Sequence, residues 1–250
     1  MDPQLDGKRA VIVGATRGIG RAVADQLADE GCHVGVGARH PDQVDAVVKR
    51  LRTGARNAHG ERVDAADHAD LARFVTAMGD TLEGIDILVY APTAAMGAGN
   101  DEQAWQAGIA VDLMGAVTAC EAAIPRLQKS SAGAIVVIGT ASIVEAVGAR
   151  RAYNSVKAAL VPYVKFLARE LAPKVRANIV SPGMVYFEGG VWDAVRQLDP
   201  DRYQQAIARN PMGRMGTPDE IANVVAFMAS PKASFISGAH LFVDNCFTAV

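Results

Sequence analysis

Short runs of valine and isoleucine alternate along the chain with longer stretches of helical periodicity. This alternation is typical of repeated strand–helix units, in which a parallel sheet is buried between two layers of helices. Seven strands are predicted, at residues 10–13, 33–37, 58–63, 85–90, 134–138, 175–180 and 239–243. Helices are predicted at residues 19–30, 42–52, 68–79, 101–128, 152–171 and 218–229. We therefore expect a single α/β domain over residues 1–250, with a seven-stranded parallel sheet flanked by helices.

The composition narrows the class of protein. Half of the 250 residues are hydrophobic and the formal net charge is −2, so the chain is able to bury a large core and lacks the basic excess of most nucleic-acid or membrane-surface proteins. Cys32, Cys120 and Cys246 are widely spaced and form no metal-ligand pattern, so we expect reduced cysteines in the core and no metal site. The N-terminal residues lack the apolar run of a secretory signal, and we expect a cytoplasmic protein.

A glycine-rich segment, VGATRGIG, follows the first predicted strand and leads into the first predicted helix. Gly14, Gly18 and Gly20 allow the backbone of this turn to approach a pyrophosphate closely. The helix that begins near Ile19 offers N–H donors and the positive end of its dipole. The segment predicts a dinucleotide site, and a tight turn needed only for packing is the alternative.

Further motifs accompany this turn: Asp64 after the third predicted strand, YNSVK at 153–157, SPG at 181–183, and a C-terminal segment that runs from 213 to 244. Together with GATRGIG they resemble the short-chain dehydrogenase/reductase family over nearly the whole chain. The resemblance implies a doubly wound, Rossmann-type domain that transfers hydride between a nicotinamide cofactor and a carbonyl or alcohol substrate. The related 3-oxoacyl reductases indicate an apolar ketone or a 3-oxoacyl-type compound as the substrate.

The residues after the second predicted strand bear on the choice of cofactor. NAD-specific sites place a carboxylate there to bind the ribose 2′-hydroxyl, whereas a 2′-phosphate needs cations. This chain has Ala38 and Arg39 at that point, and Arg17 lies within the glycine loop. NADP(H) is therefore the predicted cofactor. The resemblance adds Asp64 as a contact to the adenine, although an aspartate after a short strand is also a common turn residue.

Tyr153 and Lys157 lie four residues apart in a predicted helix, so they point to the same side. A cation beside a phenol favours the phenolate, and we expect Lys157 to lower the pKa of Tyr153 toward the range of efficient acid–base catalysis. By resemblance, Tyr153 gives a proton to the carbonyl oxygen while hydride reaches the carbon, and Lys157 binds the nicotinamide ribose. The family also places a hydroxyl thirteen residues before the tyrosine, which is Thr140 here, and Ser142 is the competing candidate.

Three positions depart from the family pattern. Asp112 stands where the family has an asparagine that supports a water in a proton relay. A carboxylate there would offset the field of the lysine and raise the pKa of the tyrosine. A protonated carboxyl group and a purely structural, helix-bending role are the alternatives. YAPT at 90–93 replaces an Asn-Asn-Ala-Gly stretch, although a backbone contact at Ala91 is still expected. Phe187 replaces a threonine beyond the Pro-Gly strand end, while Val185 still offers its backbone to the carboxamide.

A long excursion, residues 184–217, separates the sixth predicted strand from the last predicted helix. Long connections in compact domains are often lids over a site, and a packed surface appendage is the alternative. We expect the substrate pocket between this excursion, residues 92–99 and residues 140–147. Aromatic side chains of the excursion are candidates for an apolar lining: Tyr186, Phe187, Trp192 and Tyr203.

Two alternatives to a reductase stay open. The departures at Asp112 and YAPT are compatible with a dinucleotide-binding sensor or scaffold protein that has lost turnover, and a dehydratase or epimerase would use the same tyrosine. The resemblance further implies a homotetramer or dimer, formed through the long helices at 101–128 and 152–171.

Overall fold

The computed structural model describes residues 3–52, 57–94, 99–144 and 151–248. Within them, seven parallel strands form one sheet in the order β3-β2-β1-β4-β5-β6-β7. The predicted α/β fold and its seven strands are thereby confirmed. The strands are β1 Arg9–Val13, β2 His33–Ala38, β3 Ala58–Arg62, β4 Ile87–Tyr90, β5 Gly133–Ile138, β6 Val175–Pro182 and β7 His240–Val243.

The strand order places a switch point beside β1. The chain runs outward from β1 to β2 and β3, and then returns to β4 on the other side of β1. Connections therefore leave the carboxyl ends of β1 and β4 in opposite directions, and a crevice opens between them. Val13 pairs with Gly37 on one side and with Tyr90 on the other. The glycine loop after β1 and the segment after β4 consequently lie side by side.

Helices cover both faces of the sheet. They are α1 Gly18–Asp29, α2 Pro41–Leu51, α3 His68–Thr81, α4 Glu102–Gly108, α5 Gly115–Leu127, α6 Ala152–Ala158, α7 Leu160–Leu171, α8 Val191–Leu198, α9 Pro200–Ala208 and α10 Pro218–Ala229. One apolar core lies between the sheet and the layer of α1, α2 and α10, and a second lies between the sheet and the layer of α3, α5 and α7. The predicted α1, α2, α3 and α10 begin and end within two residues of the observed bounds.

Both predicted long helices are divided in the structure, the second of them between α6 and α7. In the first, a π-helical turn, Ile109–Met114, separates α4 from α5. The Tyr90 hydroxyl donates to the carbonyl oxygen of Val111 at 2.5 Å, and Nε2 of His68 lies 2.9 Å from the carbonyl oxygen of Ala110. Such a turn interrupts the regular hydrogen-bond ladder and is stabilised when outside groups bind the carbonyls. Helical periodicity alone could not reveal it, because those groups come from distant parts of the chain.

The excursion carries α8 and α9 and has a small apolar core of its own. Its buried members are Met184, Ala206 and Met215, and the partly buried side chains packed on them include Tyr186, Trp192 and Tyr203. The rings of Tyr186 and Tyr203 meet edge to face, with centroids 6.1 Å apart. Three of the four aromatic candidates therefore pack together within the excursion, while Phe187 packs on the core beside α1.

Two of the three cysteines are buried, and one helical run is unusually long and apolar. Cys32 and Cys120 are buried as expected, but the expectation for Cys246 is wrong, because this residue lies exposed beyond β7, where few side chains cover it. The helical run Glu102–Leu127 is long and apolar enough to cross a membrane by length and composition, with a mean hydropathy of 1.5. A core helix passes the same test, and α5 packs on α3, β4 and β5.

Candidate active site

The glycine loop after β1 has a conformation that glycine adopts without strain. Gly14 and Gly18 have φ values of +84° and +52°, which disfavour any side chain. A Cβ atom on Gly14 would lie 2.9 Å from the backbone nitrogen of Pro92, and a Cβ atom on Gly20 would overlap the carbonyl oxygen of Gly14. The Gly14 N–H donates to the Gly37 carbonyl oxygen at 2.7 Å, which ties the loop to β2. All three glycines are thus required by the shape of the turn.

Helix α1 begins directly after this loop, at Gly18. Its N-cap residue, Arg17, makes no side-chain cap hydrogen bond, and Gly18 and Ile19 lie in the first turn. The first N–H groups of a helix have no partner within the helix, so they bind an anion readily. The loop and the helix N-terminus therefore have the form that a pyrophosphate site needs, and their contact with a dinucleotide stays a prediction.

The end of β2 carries positive charge. Ala38 is its last residue, Arg39 follows it, and the side chains of Arg39 and Arg17 are both exposed. This arrangement fits the predicted 2′-phosphate. Asp64 accepts a hydrogen bond from the Ala66 N–H at 3.0 Å, so its turn role is observed, and its contact with adenine stays a prediction.

Two predicted backbone contacts lie at the same crevice. The Ala91 N–H donates to the Val13 carbonyl oxygen at 3.0 Å, so this N–H group is used to extend the sheet. Val185 forms an isolated parallel bridge with Gly216. The hydrogen bonds of that bridge are made by the neighbours of Val185, namely Met184 and Tyr186. The backbone of Val185 itself therefore faces away from Gly216.

Lys157 lies on α6 and is almost completely buried, with 2% of its side chain exposed. Its Nζ donates to the carbonyl oxygen of Ile138, at the end of β5, at 3.0 Å and to that of Pro92, after β4, at 3.4 Å. Nζ also lies 3.1 Å from Oδ1 of Asp112. A buried ammonium needs such partners, because removal from water disfavours its charged form.

Asp112 lies in the π-helical turn and is also buried, with 1% of its side chain exposed. Oδ2 accepts from the Ala94 N–H at 3.1 Å. Oδ1 is close to Lys157 but has no partner of good hydrogen-bond geometry among the described residues. The buried hydroxyl of Thr93 also lacks a hydrogen-bond partner among these residues. Asp112 thus joins the predicted site and also holds the segment after β4. A small pocket beside it reaches Tyr153.

Of the two candidate hydroxyls, that of Thr140 contacts the phenol of Tyr153. Thr140 follows β5, is buried, and its hydroxyl is hydrogen bonded to the Tyr153 side chain. The Thr140 and Ser142 hydroxyl oxygens lie 2.9 Å apart, and the Ser142 hydroxyl also donates to Oδ1 of Asn154 at 3.2 Å. The geometry therefore favours Thr140 as the partner of the tyrosine, with Ser142 behind it.

The expected lowering of the Tyr153 pKa is wrong. Burial raises the pKa of Tyr153 well above its usual value, the hydrogen bond from Thr140 offsets part of this, and the charge of Asp112 raises the pKa further. The ion pair between Lys157 and Asp112 contributes to this outcome, since the carboxylate offsets the field of the ammonium. The predicted effect of Asp112 on the tyrosine has the right sign.

Sequence reasoning missed two features of the site. The ring of Phe187 packs on Gly18 of the glycine loop, and the buried Asp193 binds the backbone and side chains around Phe187. The departure from threonine pointed to position 187, but nothing in the sequence showed where its ring would lie. Of the loops expected to border the substrate, residues 95–98 and 145–147 lie outside the described residues.

Comparisons with known proteins agree with this geometry. A family model described as enoyl-(acyl carrier protein) reductase matches residues 14–248. The chain is 33% identical over 246 residues to an isoepoxydon dehydrogenase of Penicillium expansum, covering 96% of this chain and 95% of the relative. It is 34% identical over 254 residues to a D-threitol dehydrogenase of Mycolicibacterium smegmatis, covering 99% and 95%. A 3-oxoacyl-[acyl-carrier-protein] reductase of Staphylococcus aureus is 32% identical over 247 residues, covering 95% and 97%.

Solved structures are equally similar along their whole length. The crystal structure of the protein gox2181 matches with a TM-score of 0.92 and 28% identity, covering all of this chain and 98% of that one. A short-chain dehydrogenase of Burkholderia cenocepacia, crystallised in complex with NADP, matches with a TM-score of 0.85 and 27% identity, covering 97% and 98%. This chain belongs to the short-chain dehydrogenase/reductase family.

Proposed function

We propose that this protein is an NADP(H)-dependent oxidoreductase that reduces a carbonyl compound or oxidises the corresponding alcohol. The observation that carries this proposal is that Pro92 contacts both the glycine loop, which is the predicted cofactor site, and Lys157, which belongs to the predicted catalytic group. The backbone nitrogen of Pro92 abuts Gly14 of the glycine loop, and its carbonyl oxygen accepts from Lys157. Lys157 lies one helical turn from Tyr153, and Tyr153 is hydrogen bonded to Thr140.

The side chains divide the acid–base work between them. The bound dinucleotide supplies the hydride. Thr140 holds the substrate oxygen beside the phenol, and Tyr153 gives its proton to that oxygen, so that a carbonyl becomes a hydroxyl. A raised pKa keeps the phenol of Tyr153 protonated at neutral pH, which suits the donor role.

Charge supports NADP(H) over NAD(H). Arg39 directly follows the end of β2 and Arg17 lies in the glycine loop after β1, and both are exposed. The residue at which an NAD site has its carboxylate is Ala38. The similar protein of Burkholderia cenocepacia was crystallised with NADP. Two cations form charge-assisted hydrogen bonds with a 2′-phosphate and stabilise it strongly. An uncharged 2′-hydroxyl gains little from them.

The substrate is an apolar ketone or a 3-oxoacyl-type compound. The activities of the relatives widen the range to be tested, because they include an isoepoxydon dehydrogenase and a D-threitol dehydrogenase beside the 3-oxoacyl reductase. The test is NADPH consumption by the purified protein across aliphatic, cyclic, aromatic, 3-oxoacyl and polyol-derived carbonyls, with NADH in parallel.

Tyr153→Phe is the decisive variant, because it removes the proton and keeps the ring. We expect turnover to fall by about 10²- to 10⁴-fold with little change in NADPH affinity. Tyr163→Phe is the matched control and should keep its turnover, since Tyr163 lies on α7 and its buried hydroxyl has no hydrogen-bond partner among the described residues. Full activity of Tyr153→Phe would contradict the assignment of the proton donor.

A sensor or scaffold role is the second candidate, and the buried pair of Asp112 and Lys157 favours it. A lysine whose field is offset by a carboxylate activates the tyrosine less. NADPH binding without turnover on any carbonyl of the panel would support this candidate over the reductase. Product analysis separates both from a dehydratase or epimerase, which would leave the total NADPH unchanged.

We further propose a homo-oligomer, a tetramer or dimer, in which helical faces of two copies meet. The run Glu102–Leu127 exposes the large apolar residues Trp105, Ile109 and Met114, and α7 exposes 71% of Phe166. Sedimentation as a monomer at micromolar concentration would overturn this proposal. We also propose a cytoplasmic location, which is tested by assaying the activity in the cytosolic fraction of the source cells. We propose in addition that residues 184–217 act as a lid over the site.

A further inference from the structure

The ring of Phe187 covers the start of the helix that faces the predicted pyrophosphate. A Cβ atom built on Gly18 would lie 2.6 Å from Cζ of Phe187, 2.8 Å from Cε1 and 3.0 Å from Cε2. The tip of the ring therefore points directly at Gly18, the first residue of α1. The space that this glycine leaves open at the helix N-terminus is filled by a phenyl ring.

A second glycine also leaves room for the tip of the ring. A Cβ atom on Gly190 would lie 2.9 Å from the same Cζ atom of Phe187. Phe187 also packs on the core that contains α1, together with Ile19 and Val185. The ring is thus held in a defined place in the free protein.

The backbone on either side of Phe187 is anchored. On one side, Tyr186 N–H donates to the Gly216 carbonyl oxygen at 2.9 Å. On the other, Gly190 N–H donates to the Phe187 carbonyl oxygen at 3.0 Å and Gly189 N–H donates to Oδ2 of Asp193 at 3.0 Å. Because both flanks are tied down, the ring moves most easily by rotating about its own side-chain bonds.

Asp193 strengthens these anchors. Only 5% of Asp193 is exposed, and its Oδ1 accepts from the Tyr186 hydroxyl at 2.8 Å. Arg196 and Gln197 donate to the same carboxylate at 3.1 and 3.2 Å. One buried carboxylate therefore joins both sides of the segment that carries Phe187.

We propose that Phe187 sets the affinity of this protein for its dinucleotide, because its ring occupies the N-terminus of α1 and must rotate away before a pyrophosphate reaches the N–H groups there. The inference rests on the proposed function. A phenyl ring has no group that donates to a phosphate oxygen, so it competes with the anion rather than binding it. Only the fraction of molecules with the ring turned away binds, and the apparent dissociation constant rises by the inverse of that fraction.

The test is NADPH binding to the free protein, followed by the fluorescence of the nicotinamide. Phe187→Ala removes the ring and should tighten NADPH binding by roughly tenfold, since the N-terminus is then always open. Phe187→Thr should bind at least as tightly, because it also adds a hydroxyl donor. Phe235→Ala is the matched control, since Phe235 is fully exposed in the turn before β7, and its affinity should equal that of the unaltered protein.

Stopped-flow mixing gives a second readout that a merely structural role would not change. Side-chain rotation is fast on this timescale, so the observed binding rate should rise linearly with NADPH concentration in both proteins, with a slope about tenfold steeper in Phe187→Ala and an unchanged intercept. Equal or weaker NADPH binding by both Phe187 variants, with unchanged thermal melting, would overturn the inference and leave the proposed function intact. Absence of NADPH binding in every variant and in the unaltered protein would instead overturn the proposed function.

Discussion

Replacing Asp112 by asparagine tests the electrostatics of the site most directly. The substitution keeps the size of the side chain and removes the charge that lies 3.1 Å from Lys157 Nζ. At this distance the attraction between two unit charges is about 5 kcal/mol for an effective dielectric constant of about 20. Breaking a buried ion pair on one side usually costs about 3 to 5 kcal/mol. We expect about 3 kcal/mol, because Lys157 keeps its bonds to the carbonyl oxygens of Ile138 and Pro92.

Urea unfolding monitored by circular dichroism measures this cost. Glu61→Gln is the matched control, because it breaks the exposed ion pair between Glu61 and Arg73, and exposed pairs contribute little to stability. The double variant Asp112→Leu, Lys157→Met removes both charges and should be less destabilised than the sum of its two single changes. A free energy of unfolding for Asp112→Asn within about 0.5 kcal/mol of the unaltered protein would refute the reasoning, since surface changes have effects of that size.

The same substitution shifts the pH dependence of catalysis. Reduction requires a protonated Tyr153, so the rate falls as pH rises through the pKa of this phenol. The charge of Asp112 raises that pKa, so Asp112→Asn should move the fall in kcat/KM for reduction to lower pH, with equal or higher activity at neutral pH. Oxidation requires the phenolate, so its rise with pH should also move to lower pH. Unchanged profiles in both directions would show that Asp112 does not act on the tyrosine.

Two further substitutions test the cofactor half of the site. Gly20→Ala places a methyl group against the Gly14 carbonyl oxygen, which should cost about 1 to 3 kcal/mol of stability and abolish NADPH binding measured by fluorescence. Gly99→Ala is the control that should keep both stability and NADPH binding, because its Cβ atom would meet nothing closer than 3.9 Å. Arg39→Ala should weaken NADPH binding about tenfold, a loss typical of one charge-assisted hydrogen bond, while leaving NADH binding unchanged in isothermal titration; equal losses for both cofactors would contradict a contact with the 2′-phosphate.

Local patterns were sufficient for the sheet and for most helix ends, and they indicated a candidate site whose residue roles stay predictions. The alternation of apolar runs predicts all seven strands, and the spacing of Tyr153 and Lys157 places both on one side of α6, because helical geometry depends only on residues a few positions apart. The tight turn after β1 can likewise be predicted from its glycines, since the backbone around each of them leaves no room for a side chain or needs a conformation that glycine adopts without strain. Burial cannot be predicted from local patterns alone, as the exposed Cys246 shows, because it depends on which distant parts of the chain pack against a residue.

Only the tertiary structure decides how the groups of the site act on one another. Asp112 and Lys157 lie in separate helices, and their approach to 3.1 Å, together with the burial of the phenol, turns the expected lowering of the Tyr153 pKa into a rise. The π-helical turn is stabilised from outside the helix, by the hydrogen bond that Tyr90 donates to Val111 from β4. Each of these effects depends on distances between residues far apart in the chain, and electrostatic energy and packing respond to distance in space rather than to position in the sequence.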